Sequence, residues 1–223
     1  MVDRDDLNHY CNQYLSVSKY KDYCPNGLQV EGSQTINKIV SGVSANLDFI
    51  ELAIAEQADA IFVHHGIFWE NESNVIVGSK KKKIDLLLKN EINLFAYHLP
   101  LDDHPDVGNN VQLGTVLGIK NMKPVDSSLL WQGELNTDLK TFSSLIEKQL
   151  GRAPQLFGRL SGPLNSIAWC TGGAQGFIDE AISLKSDVYL SGEVSERTPA
   201  VAKENDMTYI SAGHYATERY GVQ

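Results

Sequence analysis

The chain has 223 residues, 42% hydrophobic and 21% charged, with a formal net charge of −9. That size and apolar content suit one large globular domain or two small ones, and the acidic balance argues against sequence-independent nucleic-acid binding, which relies on Lys and Arg neutralising phosphates. No apolar run reaches the ~18 residues of a membrane-spanning helix, and the start "MVDRDDLNHY" is too polar for a secretory signal, so the chain reads as cytoplasmic and soluble, with no membrane partner.

Cys11 and Cys24 come first in chain order and Cys170 much later; with no CxxC pair, the three read as reduced thiols rather than a metal knuckle or redox motif. From residue 36 onward, strand-like and helix-like segments alternate: "INKIVSGVS", "LDFIELAIAEQ", "ADAIFVHH", the lysine-led "SKKKKIDLLLKNEI", then "INLFAYHLP". Short β-branched or aromatic runs between amphipathic helices predict α/β layering. Lys80, Lys81, Lys82 and Lys83 read first as a solvated helix end; the alternative is a contact for an anionic substrate, since lysine acts as a point charge toward phosphate. Residues 121–165 include a helical piece, "LKTFSSLIEKQLG", and contain the expected join between two halves, 1–124 and 125–223.

A repeat supports that division. "FIELAI" (Phe49 to Ile54) matches "FIDEAI" (Phe177 to Ile182). The same spacing, without gaps, pairs Ile39 with Ile167, Asp59 with Asp187, and His65 with Glu193. Further on, "LFAYHLPLD" aligns with "ISAGHYATE", which sets His98 on His214 and Asp102 on Glu218. The expected fold is therefore α/β: two related β-α-β-α-β halves, an internal duplication about a pseudo-twofold axis.

In open α/β sheets, sites form beyond the carboxyl ends of strands. His64-His65-Gly66, His98 to Asp102, Glu193, and His214 to Glu218 all occupy such ends in the repeat. Imidazoles and carboxylates together make a ligand set for zinc, iron, manganese or nickel, and carboxylates can bridge two ions. Taken singly, each feature has a plainer explanation. Adjacent histidines on a strand point to opposite faces, one buried and one exposed; His214 and Glu218 share a helix face, as many surface pairs do; Asp102-Asp103-His104-Pro105 reads as a polar turn. The concentration of four of the six histidines at related strand ends favours the site. "GGAQG" (Gly172 to Gly176) lacks the spacing of a nucleotide loop and reads as a tight strand-to-helix turn. No G-x-S-x-G elbow supports serine chemistry.

"PNGLQVEG", "VHHGIFW", "HLPLDDHPDVGNN", "WCTGGAQGFIDEA", "SGEVSE" and "AGHYATERYGV" closely resemble the bacterial YbgI-like proteins, the family known as GTP cyclohydrolase 1 type 2 or dinuclear metal centre proteins. The likeness spans nearly the whole chain. It implies a two-domain subunit, a toroidal homohexamer, and two divalent metal ions per subunit in a site between the halves. Matched residue by residue, the implied ligands are His64, His65, Asp102, His214 and Glu218, with Tyr215 where relatives can carry a further histidine. It also implies that a last segment beyond "ERYGVQ" is missing, which would leave apolar surface uncovered.

Repeat and resemblance together place Glu193 and His98 near the metals as second-layer or acid-base groups. The leading expectation is a metal-dependent hydrolase opening the imidazole ring of GTP or of a damaged nucleotide; the alternative is a non-catalytic, ring-shaped metal-binding module. In this reading Gly66 ends the strand, and the divergence of His64 and His65 lets them address two ions.

Overall fold

Alternating apolar runs and amphipathic helices fold, in a computed structural model that describes residues 1–223, into two units: Met1–Leu101 with Gly221–Gln223, and Asp102–Tyr220. The first runs through β1 (Val2–Asp3), α1 (Arg4–Tyr14), β2 (Gly27–Val30), β3 (Thr35–Ile36), β4 (Ile39–Ser44), α2 (Leu47–Ala55), β5 (Ala60–His65), α3 (Gly78–Lys89) and β6 (Asn93–Ala96); α4 (Leu99–Asp103) crosses the boundary. Its main sheet has the order β2-β6-β5-β4. There β4, β5 and β6 are parallel and β2 is antiparallel to β6. Asn46 starts α2 by accepting the Phe49 N–H on its side chain, a cap worth about 1 kcal/mol. Ile50, Ala53 and Leu87 from the two helices pack with Ile61, Val63 and Leu94 of the strands. Each such buried Ile or Leu contributes roughly 1.5–3 kcal/mol. Alongside, α1 is tied down by side-chain amides: Asn8 Oδ1 accepts from Leu28 N at 3.0 Å, and Asn12 Oδ1 from the Tyr97 hydroxyl at 3.1 Å.

The second unit contains α5 (Asn109–Val116), β7 (Lys120–Pro124), β8 (Trp131–Asp138), α6 (Leu139–Leu150), β9 (Gln155–Gly158), β10 (Pro163–Trp169), α7 (Ile178–Ser183), β11 (Val188–Ser191), α8 (Thr198–Glu204), β12 (Thr208–Ser211) and α9 (His214–Thr217). Its sheet order is β7-β8-β10-β11-β12-β9. Here β10, β11 and β12 are parallel, with antiparallel neighbours at both ends. Strand residues alternate between two cores. Ile167, Trp169, Val188 and Leu190 meet Phe142, Ile146 and Leu150 of α6, while Ala168, Tyr189 and Tyr209 meet Ile178, Ala181 and Ala202 of α7 and α8. Capped by Asp138 and closed by left-handed Gly151 at φ 72, α6 buries one stripe. No helix in either unit is long and apolar enough to cross a membrane.

The two sheets share one internal plan: three parallel strands with an antiparallel strand beside the third, to which the second unit adds the β7–β8 hairpin. Ile39 stands opposite Ala60 and Ile167 opposite Val188, the registers that the first repeat spacing gives. The later alignment needs correction. Ala96 pairs with Val63 and Ser211 with Ser191. With Val63 and Ser191 equivalent, Ala96 matches Ser211, and His98 matches Gly213 rather than His214. The division between units also falls earlier than 124/125. Leu113, Leu117 and Ile119 are buried in the core built around Trp169, and β7 pairs with β8, so residues 102–124 belong to the second unit.

Candidate functional site

In the first unit β5 carries the two adjacent histidines to its carboxyl end, flanked on both sides by parallel strands that fix their backbone. His64 is buried, and its Nδ1 lies 2.9 Å from the Tyr97 carbonyl. His65 stands opposite Ser44 in the ladder, with its Nδ1 3.1 Å from Ser44 Oγ. The expected divergence of the two rings does not occur. Their centroids are 4.5 Å apart, and His98 joins them at 4.9 Å and 5.6 Å. The pleat rule governs a continuing strand, and β5 ends at His65. Gly66 follows because a Cβ there would collide with the Gln29 amide, which accepts the Ile67 N–H at 3.0 Å. One ligand nitrogen from each of His64, His65 and His98 lies within 4.8 Å of the others.

His98 is held by Asp22, which no sequence motif marks, and by Asn26 of "PNGLQVEG". Its Nδ1 lies 2.9 Å from Asp22 Oδ1, and its backbone N–H donates to Asn26 Oδ1 at 2.7 Å. Asp22 Oδ2 also accepts from Leu99 N and Asn26 Nδ2, each at 2.9 Å. Burial would raise the Asp22 pKa, but the donors from His98 and Asn26 outweigh it and hold the carboxyl down at about 2. Asp22 is therefore ionised at neutral pH and fixes the imidazole.

In the second unit, neighbouring residues hold two carboxylates. Asp102 Oδ1 accepts from Asn109 Nδ2 at 2.9 Å and from Thr171 Oγ1 at 3.2 Å. The next residue, Gly172, adopts φ 67, and a Cβ there would collide with Glu218 Oε1. Its N–H donates to Thr217 Oγ1 at 3.0 Å. The first glycine of "GGAQG" is thus a turn residue, as expected, and also the surface against which a buried glutamate rests. The helix opened by His214 is one turn long, with Glu218 as its C-cap. His214 Nε2 lies 3.1 Å from Glu218 Oε2, and His214 Nδ1 lies 2.7 Å from Glu193 Oε1. The Glu218 carboxylate, opposed by burial and reinforced by Glu193, pushes the His214 pKa up to about 9. Burial, with the charges of Asp102 and Glu218, pushes the Cys170 thiol well up, so it stays protonated.

The donor types that each unit presents fit divalent metal. The nitrogen and oxygen donors suit zinc, iron, manganese or nickel, and His64, His65 and His214 each have Nδ1 beside a protein oxygen, the arrangement that aims Nε2 of a ligating histidine. Tyr215 is 63% exposed. Of the lysine run, Lys80 donates to Ser73 O at 2.8 Å and pairs with Glu72 at 3.5 Å, whereas Lys81 and Lys82 are exposed on α3.

A family model described as Duf34/NIF3 (NGG1p interacting factor 3) matches residues 2–223. A protein of Allochromatium vinosum named "GTP cyclohydrolase 1 type 2 homolog" is 47% identical over 227 residues, covering 100% of this chain and 89% of its own length. A protein of Pseudomonas aeruginosa with the same name is 48% identical over 218 residues, covering 95% and 86%. Among solved structures, the ybgI protein, described as of unknown function, has a TM-score of 0.95 at 43% identity, covering 99% of this chain and 90% of its own. A protein from Thermus thermophilus has a TM-score of 0.92 at 31% identity, with the same coverage.

Proposed function

The chain belongs to the Duf34/NIF3 family, and from that membership we propose that it is a metal-dependent hydrolase of purine nucleotides, adding water at C8 of the imidazole ring of GTP or of a related damaged nucleotide. Two divalent ions are assigned to His64, His65, Asp102, His214 and Glu218. The observation that carries this reading is the common holding of three histidines by Nδ1: to Tyr97 O, Ser44 Oγ and Glu193 Oε1. Nε2 of each is the nitrogen assigned as ligand.

Bound divalent metal lowers the pKa of a coordinated water toward ~7 and so supplies hydroxide at neutral pH. The residues around it have separate tasks. Glu193 holds the His214 ring, and Asn109 and Thr171 hold the Asp102 carboxylate. His98, fixed through Nδ1 by ionised Asp22, is assigned to hold and return a proton at Nε2. Family membership is also the ground for proposing a homohexamer, which sedimentation of the purified chain tests.

The deciding assay offers GTP and oxidised or methylated guanine nucleotides to metal-loaded protein, beside His65→Ala. Metal-dependent turnover that the substitution abolishes supports the hydrolase. Metal binding without turnover on any of them would assign the chain to the non-catalytic, metal-binding module instead.

A further inference from the structure

Beside His98 the first unit has a cavity of about 500 Å³ whose lining includes Asp22, Tyr23, Phe68, Trp69, Glu70 and Asn74. That volume lies in the range of small-molecule sites. Its walls are tied to each other and to the imidazole. Glu70 N donates to Tyr23 O at 2.8 Å. The Tyr23 and Trp69 rings stack with centroids 6.1 Å apart and planes 30° from parallel. Each also meets the His98 ring at a steep angle, at 4.9 Å and 5.3 Å. Two aromatic rings are thus held in place without being buried, Tyr23 remaining 48% exposed.

The charge of the lining selects among ligands. It contains two carboxylates, Asp22 and Glu70, and no lysine or arginine; the nearby Lys80, 5.7 Å from the Phe68 ring, is engaged by Ser73 O and Glu72, so the lining disfavours a phosphate. Asp22 is engaged by His98, Asn26 and Leu99, whereas Glu70 lies exposed at the cavity. An acceptor beside aromatic faces suits a flat ring that carries N–H groups, because any such ring has a π-face to stack.

We propose that this cavity binds a flat aromatic heterocycle bearing N–H donors, of the nucleobase class, stacked on Trp69 and Tyr23 with the Glu70 carboxylate accepting from its ring N–H or amino group. The choice of a purine rests on the nucleotide-hydrolase reading above. The subsite sets the base beside His98 and requires any phosphate to be held elsewhere.

Calorimetric titration of the full chain with guanosine, trimethylxanthine and ribose 5-phosphate tests this. Guanosine and trimethylxanthine bind and ribose 5-phosphate does not. Trp69→Ala weakens both purines by about tenfold or more, and Trp69→Phe, which keeps a ring and guards against a folding defect, retains most of the affinity. Glu70→Gln weakens guanosine but not trimethylxanthine, which has no N–H donor. Failure of guanosine to bind, equal binding of ribose 5-phosphate, or unchanged affinity in a folded Trp69→Ala protein would overturn the proposal. Ring-dependent binding without metal-dependent turnover would uphold the subsite and defeat the hydrolase reading, so the two fail separately.

Discussion

Glu193 Oε1 stands 2.7 Å from His214 Nδ1, across 21 residues of chain. A carboxylate on the far nitrogen of a ligating histidine fixes the ring and raises its basicity. We propose that Glu193 positions the His214 ring, the second-layer role of the two, second-layer or acid-base, that its place in the repeat suggested.

Glu193→Gln keeps an oxygen near Nδ1 but removes the charge. Metal affinity, measured by competition with a chelator, falls about 10- to 100-fold, with little change in thermal stability. An unaltered affinity would remove Glu193 from the site.

Gly172→Ala is predicted to damage fold and site together. The substitution forces a side chain into the left-handed region, at roughly 1–2 kcal/mol, and drives a methyl group into Glu218. Overpacking adds about 1–3 kcal/mol. Denaturant unfolding should show a loss of about 2 kcal/mol or more; a loss under ~0.5 kcal/mol would show that the turn relaxes at little cost.

Asp22 gives a pH signature. Its folded pKa, about 2, lies below the ordinary 3.8, and its side chain is 3% exposed. The stabilisation is therefore fully present above the unfolded pKa and is lost as pH falls through about 2; one pKa unit is about 1.4 kcal/mol, so the whole is about 2 kcal/mol. The stability gap between wild type and Asp22→Asn should shrink by about that much between about pH 5 and about pH 2. A gap that does not change with pH would contradict an ionised Asp22 carboxylate held by these donors.

The repeat makes its own prediction. Asp59 Oδ2 accepts from Asn37 N and Lys38 N at 2.7 and 2.9 Å, and Asp187 Oδ2 from Asn165 N and Ser166 N at 2.9 and 3.1 Å. The same aspartate staples the same turn in each half. Replacing either by Ala costs about 1–2 kcal/mol, with Asp187 the larger because it also pairs with Arg159 at 3.2 Å. Chemical denaturation of the two variants checks both the size and the order.

Much of this was legible in local patterns. The alternation of apolar runs gave the parallel strands, and His64-His65 at the end of such a run, with His214 four residues before Glu218, marked the candidate ligands. The partners of His98 were hidden because Asp22 and Asn26 lie 76 and 72 residues away along the chain, and no periodicity reports a contact of that range. At Gly172 the sequence shows only a turn, since a missing Cβ does not say what approaches it. The one-residue slip that equated His98 with His214 arose where the chain leaves its strand: similar letters could be aligned across "HLPLD" and "HYATE", but hydrogen-bond register is set by the sheet.

Two divalent ions are proposed on His64, His65, Asp102, His214 and Glu218, and metal content tests that proposal most directly. Elemental analysis of the chain purified without added metal or chelator, beside His65→Ala and Glu218→Gln, should find two divalent ions per wild-type chain and clear losses in both variants. Fewer than one ion per chain, or equal content in all three proteins, would contradict it.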